Sequence, residues 1–113
     1  MTNKEYQDYV YNLINHPTSQ INTDILHMIL GVVTEAGELA DCIKRGIGYN
    51  EWIDYENMEE EMGDVLFYVA GLAALLHLSL DDIMNLNKAK LDKRYPEGFS
   101  EKAAKERKDK SGT

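Results

Sequence analysis

Sixteen consecutive residues without a formal charge, Val65 to Leu80, constrain this chain more than any other feature. Tyr68, Gly71, His77 and Ser79 interrupt the run, and a membrane span needs about 20 predominantly apolar residues, so the stretch reads as a buried helix. A helix turns about 100° per residue. At that pitch Val65, Leu66, Phe67, Val69, Leu72, Leu75, Leu76 and Leu78 point almost all the way round, and a helix with no polar face needs neighbours on every side.

The rest of the sequence offers those neighbours as further helices and no convincing strand. Periodicity places the first over about 3–14, with Tyr6, Val10, Leu13 and Ile14 on one face and Pro17 in the connection after it. The second starts near Asn22 or Thr23, either of which can cap a first turn, and runs to about Arg45, where Gly46 and Gly48 stop it. Its broad apolar side holds Leu26, Ile29, Leu30, Val33, Ala36, Gly37, Ala40 and Ile43. A loop over 46–54 carries Trp52, and the third helix follows over about 55–78. Ser79 with Asp82 resembles a capping box and opens a fourth helix ending near Tyr95-Pro96. Beyond Gly98 the chain is charged and poor in apolar residues, which predicts a frayed helix or disordered tail. The expected organisation is an all-α module of four helices over 1–98 and a charged tail over 99–113. Four short helices barely cover the third, so a homo-oligomer is expected, with the third helix near the subunit interface.

With 113 residues the chain fits one domain. Its net charge of −8 argues against a dedicated nucleic-acid binder, which normally shows a basic footprint. That charge is unevenly placed: residues 1–87 hold three basic and 15 acidic side chains, residues 88–113 nine and five. The single cysteine, Cys42, excludes an intramolecular disulfide, and no Cys/His spacing suits zinc. With no signal-peptide pattern at the start, the expected location is cytoplasmic, with no membrane partner.

Two acidic motifs stand out, Glu35-Ala-Gly-Glu38 on the second helix and Glu61-Met-Gly-Asp64 on the third. Acids three apart share one side of a helix and repel each other. Glu61 and Asp64 lie on the stripe that continues as Tyr68, Leu72 and Leu75, so they point where later turns are buried, and buried carboxylates are normally paired or coordinate a metal. Glu59 and Glu60 point elsewhere and suit solvent. Glu35 and Glu38 lie opposite the apolar centre of their helix, which taken alone favours exposure. An all-oxygen set fits magnesium better than zinc, and a di-iron bundle would want Glu-x-x-His pairs that are absent. From these residues alone, a metal site and a solvated acidic face both remain open.

The fourth helix carries Ile83, Asn87, Lys90 and Arg94 within a narrow arc. Lys as a mobile point charge and Arg as a planar fork suit polyphosphate, while pairing of Lys90 and Arg94 with Glu61 or Asp64 is the equal alternative. Trp52, Tyr49 or Tyr68 could stack on a base, and Trp52 could equally anchor its loop. His27 and His77, among apolar neighbours, read as core or interface residues.

Taken together, Gly31-Val-Val-Thr-Glu35-Ala-Gly-Glu38-Leu-Ala-Asp41, Glu61-Met-Gly-Asp64-Val-Leu-Phe-Tyr68 and Asn87-Lys-Ala-Lys90-Leu-Asp-Lys-Arg94-Tyr95-Pro96 resemble the MazG-like family of all-α nucleoside triphosphate pyrophosphohydrolases. The 22 residues between Glu38 and Glu61 fit its ExxE…ExxD pattern. The resemblance implies hydrolysis of a nucleoside triphosphate to a monophosphate and pyrophosphate. By it, Glu35, Glu38, Glu61 and Asp64 hold Mg²⁺, with Mn²⁺ as a substitute. Glu38 also orients or deprotonates the water, and Asn87, Lys90, Arg94, Tyr95 and Trp52 bind substrate. It implies a homodimer or homotetramer. Narrower alternatives are a dCTP, dUTP or phosphoribosyl-ATP pyrophosphohydrolase, and outside the enzymes a non-catalytic helical interaction module.

Overall fold

The computed structural model describes residues 1–14, 20–48 and 52–110. The expected turn at His16-Pro17 and the aromatic Tyr49 lie outside the described residues, among which there is no strand. The chain divides into two units, residues 1–79 and 80–113.

In the first unit, α1 (Asn3–Ile14) and α2 (Ile21–Ile43) both pack on α3 (Tyr55–Leu75). A capping box opens α1: the Glu5 amide donates to Thr2 Oγ1 at 3.1 Å and the Thr2 amide to Glu5 Oε1 at 3.0 Å. The expected cap of α2 at Asn22 or Thr23 is replaced by Gln20, whose side chain makes no capping bond to the helix backbone. Nor do Gly46 and Gly48 stop α2 in a loop, because α2 runs on into a π-helical turn, Lys44–Gly48, that contains both. Asp54 caps α3, accepting from the Asn57 amide at 3.0 Å.

α3 ends three residues earlier than expected. The Leu78 amide donates to Ala73 O (2.8 Å) and the His77 amide to Ala74 O (3.1 Å), with His77 at φ 57°. This pair of bonds closing on a left-handed residue is a Schellman motif, ordinarily given to glycine. His77 is thus an exposed helix terminator and not a core residue.

The three helices meet closest at Gly71. A Cβ there would lie 2.8 Å from Ile14 Cδ1 and 2.9 Å from Met28 Sδ, so with a glycine the ends of these two side chains can seat against the α3 backbone without shifting. Val10, Met28, Ala70, Ala73 and Leu75 are buried in the first unit, and Cys42 is buried at the other end of α2, where it accepts from Asn57 Nδ2. One turn toward the functional end, the ring of Tyr68 lies against Gly31, and a Cβ on Gly31 would collide with it. Tyr68 therefore fills the α2–α3 seam.

The face of α2 that packs on α3 is not the one its hydrophobicity suggests. Asp24, Met28, Gly31 and Cys42 are buried, whereas Leu26, Ile29, Leu30 and Val33 are 44–65% exposed. The small residue at Gly31 permits close approach on the mixed face, and the richer apolar face is left largely exposed. α3 is also less enclosed than expected, since Leu66 and Leu76 remain exposed.

The second unit consists of α4 (Leu80–Arg94), α5 (Glu101–Glu106) and a 3₁₀ turn at Lys108–Lys110. The segment expected to fray or be disordered is ordered over its described part. Ser100 Oγ accepts from the Ala103 amide at 3.1 Å and caps α5. The rings of Tyr95 and Phe99 lie 5.1 Å apart, and Asp109 is held by Arg94.

Candidate metal centre

Glu35 on α2 and Glu61 and Asp64 on α3 each bring a carboxylate oxygen to within 4.8 Å of the others. The local reason is the Gly31–Tyr68 contact: Glu35 lies one turn beyond Gly31, and Asp64 one turn before Tyr68, so the seam that seats the ring also brings the acids together. Glu35 and Glu61 are half-buried and Asp64 is exposed.

Glu61 is the electrostatic centre of this group. Its carboxyl faces that of Glu35 within hydrogen-bond reach, and this interaction is the first cause that raises the Glu61 pKa above the usual carboxylate range. Burial and then the charges of Glu35, Asp64 and Glu38 push it the same way. Glu61 Oε2 is shielded from solvent and has no hydrogen-bond partner. An orphaned carboxylate oxygen beside two further carboxylates is costly without a cation, and an all-oxygen donor set is what a hard divalent cation takes. These residues fit magnesium or manganese.

Glu38, also expected as a ligand, is exposed and stands outside the three converging oxygens, although its charge is felt at Glu61. Glu59 and Glu60 are exposed. Tyr6 on α1 was not anticipated at this site: its phenol is held above its ordinary pKa by burial, then by Tyr9 and by Asp64. The signal was there in Tyr6 and Val10 sharing a face of α1, since a helix that buries Val10 against α3 turns Tyr6 the same way.

The expected substrate-binding residues divide between the two units. Trp52 in the first is 97% exposed and so does not anchor its loop. Asn87 and Lys90 on α4 are exposed. Arg94 is half-buried, and its Nε and Nη2 donate to the two oxygens of Asp109 at 2.6 and 3.0 Å. Tyr95, also half-buried, lies within hydrogen-bond reach of the same guanidinium. Nothing in the sequence pointed to Asp109, an acid in a Lys-Asp-Lys run 15 residues beyond its partner.

An all-helical chain whose second and third helices pool their carboxylates is a carboxylate-site helical protein. More narrowly, it belongs to the MazG nucleotide pyrophosphohydrolase family, whose model matches residues 23–99 and so takes in nearly all of α2 and the whole of α3 and α4. A relative is the Gene 37 protein of Mycobacterium phage L5, 32% identical over 76 residues, which are 64% of this chain and 67% of that protein. No solved structure shows significant similarity to the chain.

Proposed function

We propose that the chain hydrolyses nucleoside triphosphates between the α and β phosphates, yielding a nucleoside monophosphate and pyrophosphate with Mg²⁺ as the preferred cation and Mn²⁺ as a substitute. The observation that carries this reading is the convergence of Glu35, Glu61 and Asp64 with an unsatisfied, shielded Glu61 oxygen, in a chain of this family. Glu35, Glu61 and Asp64 hold the metal, joined by Glu38. Bound magnesium supplies neutralisation and polarisation of the phosphoryl oxygens. Glu38, which keeps solvent access, orients the attacking water and takes its proton as the water oxygen bonds to the α phosphorus and pyrophosphate leaves. Asn87, Lys90, Arg94 and Tyr95 bind phosphate and sugar, and Trp52 offers a surface for the base. The module covers residues 1–98.

A homo-oligomer belongs to this reading. The outer face of α2 at Leu26, Ile29, Leu30 and Val33 is a surface that a second copy covers, beside the third-helix interface that the sequence suggested.

Pyrophosphate release is the test, measured with Mg²⁺ and a panel of canonical and modified triphosphates together with phosphoribosyl-ATP. Release that EDTA abolishes is expected, and the panel separates a broad nucleotide-pool enzyme from a narrow dCTP, dUTP or phosphoribosyl-ATP hydrolase. No release from any member, with no Mg²⁺ binding by calorimetry, would leave a non-catalytic helical module.

A further inference from the structure

Arg94 and Asp109 form an enclosed ion pair: their side chains are 16% and 4% exposed, against 40% or more for every partner in Lys4–Asp8, Arg45–Asp41, Lys88–Asp92, Lys102–Glu106 and Lys105–Glu101. The carboxylate takes both Nε and Nη2, the parallel two-bond geometry in which a guanidinium also takes two oxygens of a phosphate. Lys90, one turn earlier on α4, adds positive charge that Asp109 feels. Beside the pair a cleft of about 420 Å³ opens between the end of α4 and α5, with Arg94, Lys102 and Lys108 among its lining residues and Glu97 and Glu106 opposing them.

The element that delivers Asp109 is lightly held. α5 has six residues and buries none of them, the 3₁₀ turn tucks in only the Asp109 side chain, and Arg107 between the two sits in a left-handed conformation at φ 50°. Few buried apolar contacts make a segment that opens at small free-energy cost. In an enclosed ion pair desolvation offsets much of the attraction, and the larger cost falls on leaving one partner without any counter-charge. Exchanging one carboxylate for a more highly charged phosphate on the same fork therefore meets little resistance.

We infer that Asp109 is the resident occupant of an anion site built on Arg94, and that a polyphosphate displaces it and releases the segment 100–110. This rests on the proposed reading of Arg94 as a phosphate ligand and gives that ligand a built-in competitor. Affinity for polyphosphate is then reduced by the fraction of molecules in which the segment is closed.

The test uses the full chain and inorganic tripolyphosphate in magnesium-free buffer, so that it reads binding without turnover. By calorimetry Asp109→Asn is expected to bind about three- to tenfold more tightly than the parent, as removing a closed state that dominates the population would allow. Asp92→Asn removes the same charge from the exposed pair with Lys88 and is expected to change affinity by less than about 1.5-fold, in line with the small effect of an exposed pair. Adding Arg94→Gln to Asp109→Asn abolishes the gain. Hydrogen exchange across 101–110 in the parent rises when tripolyphosphate is added. Equal or weaker binding by Asp109→Asn, the same gain from Asp92→Asn, or no binding by either form overturns the inference. Absence of triphosphate hydrolysis overturns the proposed function and leaves this measurement readable. A nucleoside triphosphate run alongside shows whether base and sugar add to the phosphate term.

Discussion

Glu61 faces Glu35 across the α2–α3 seam, two carboxyl groups on neighbouring helices, and that contact is the first cause that raises the Glu61 pKa. Such a pair is repulsive when both members are charged, and a bound cation relieves the repulsion. Glu61→Gln replaces one carboxyl with an amide that can donate to Glu35. The variant is expected to unfold at the same or a higher Tm than the parent when both are metal-free, and to lose at least about 100-fold in pyrophosphate release because the charge that holds the metal is gone. Glu38→Gln and Asp64→Asn should behave alike. A fall in Tm alongside the loss of activity would make these acids structural.

Acid should unfasten the second unit. The Arg94 guanidinium beside Asp109 holds its carboxyl below the usual value of 3.8. A group with a lowered folded pKa contributes stability that is complete above the unfolded value and disappears as pH falls through the folded one. The NMR signals of Ala103 and Ala104 should therefore hold steady from pH 7 to about 4 and collapse below it. In Asp109→Asn they should be insensitive over the whole range.

His77 is held at φ 57° at the end of α3, where a side chain brings strain that glycine avoids. His77→Gly is expected to stabilise the chain by about 0.5–1 kcal/mol, read as a higher denaturant midpoint at unchanged m. No change would mean that the histidine side chain makes a compensating contact.

A methyl group at Gly31 has nowhere to go but into the Tyr68 ring. Gly31→Ala should cost about 1–3 kcal/mol by urea unfolding and lower activity too, since Glu35 lies one turn away. Adding Tyr68→Leu should recover part of the loss, a coupling that a double-mutant cycle measures.

Leu30→Glu with Val33→Glu places two charges on the uncovered face of α2. By sedimentation, the parent should exceed the mass of one chain and the double variant should match it. A parent that sediments as a single chain would remove the second copy from the proposed function.

The helices were largely legible in the sequence because apolar periodicity leaves clear marks. The three converging carboxylates were legible as motifs, and Glu61 also by direction. The orientation of α2 was not. Two of its faces could meet α3, and hydrophobicity favours the one that stays exposed, since nothing in a residue count reveals that Gly31 offers a socket for Tyr68. The end of α3 escaped because histidine does a glycine's task there. The order of residues 100–110 escaped because one of the contacts behind it is an ion pair, Arg94 with Asp109, between groups that composition reads as solvated.

The two faces of α2 leave that helix little room to drift. Asp24, Met28, Gly31, Glu35 and Cys42 are committed to the seam with α3, and Leu26, Ile29, Leu30 and Val33 to the opposite side. A rotation that improved either face would take the acids out of register with Glu61 and Asp64. Neutral substitution on α2 is thereby confined to the narrow flank between the two, at exposed positions such as Thr34.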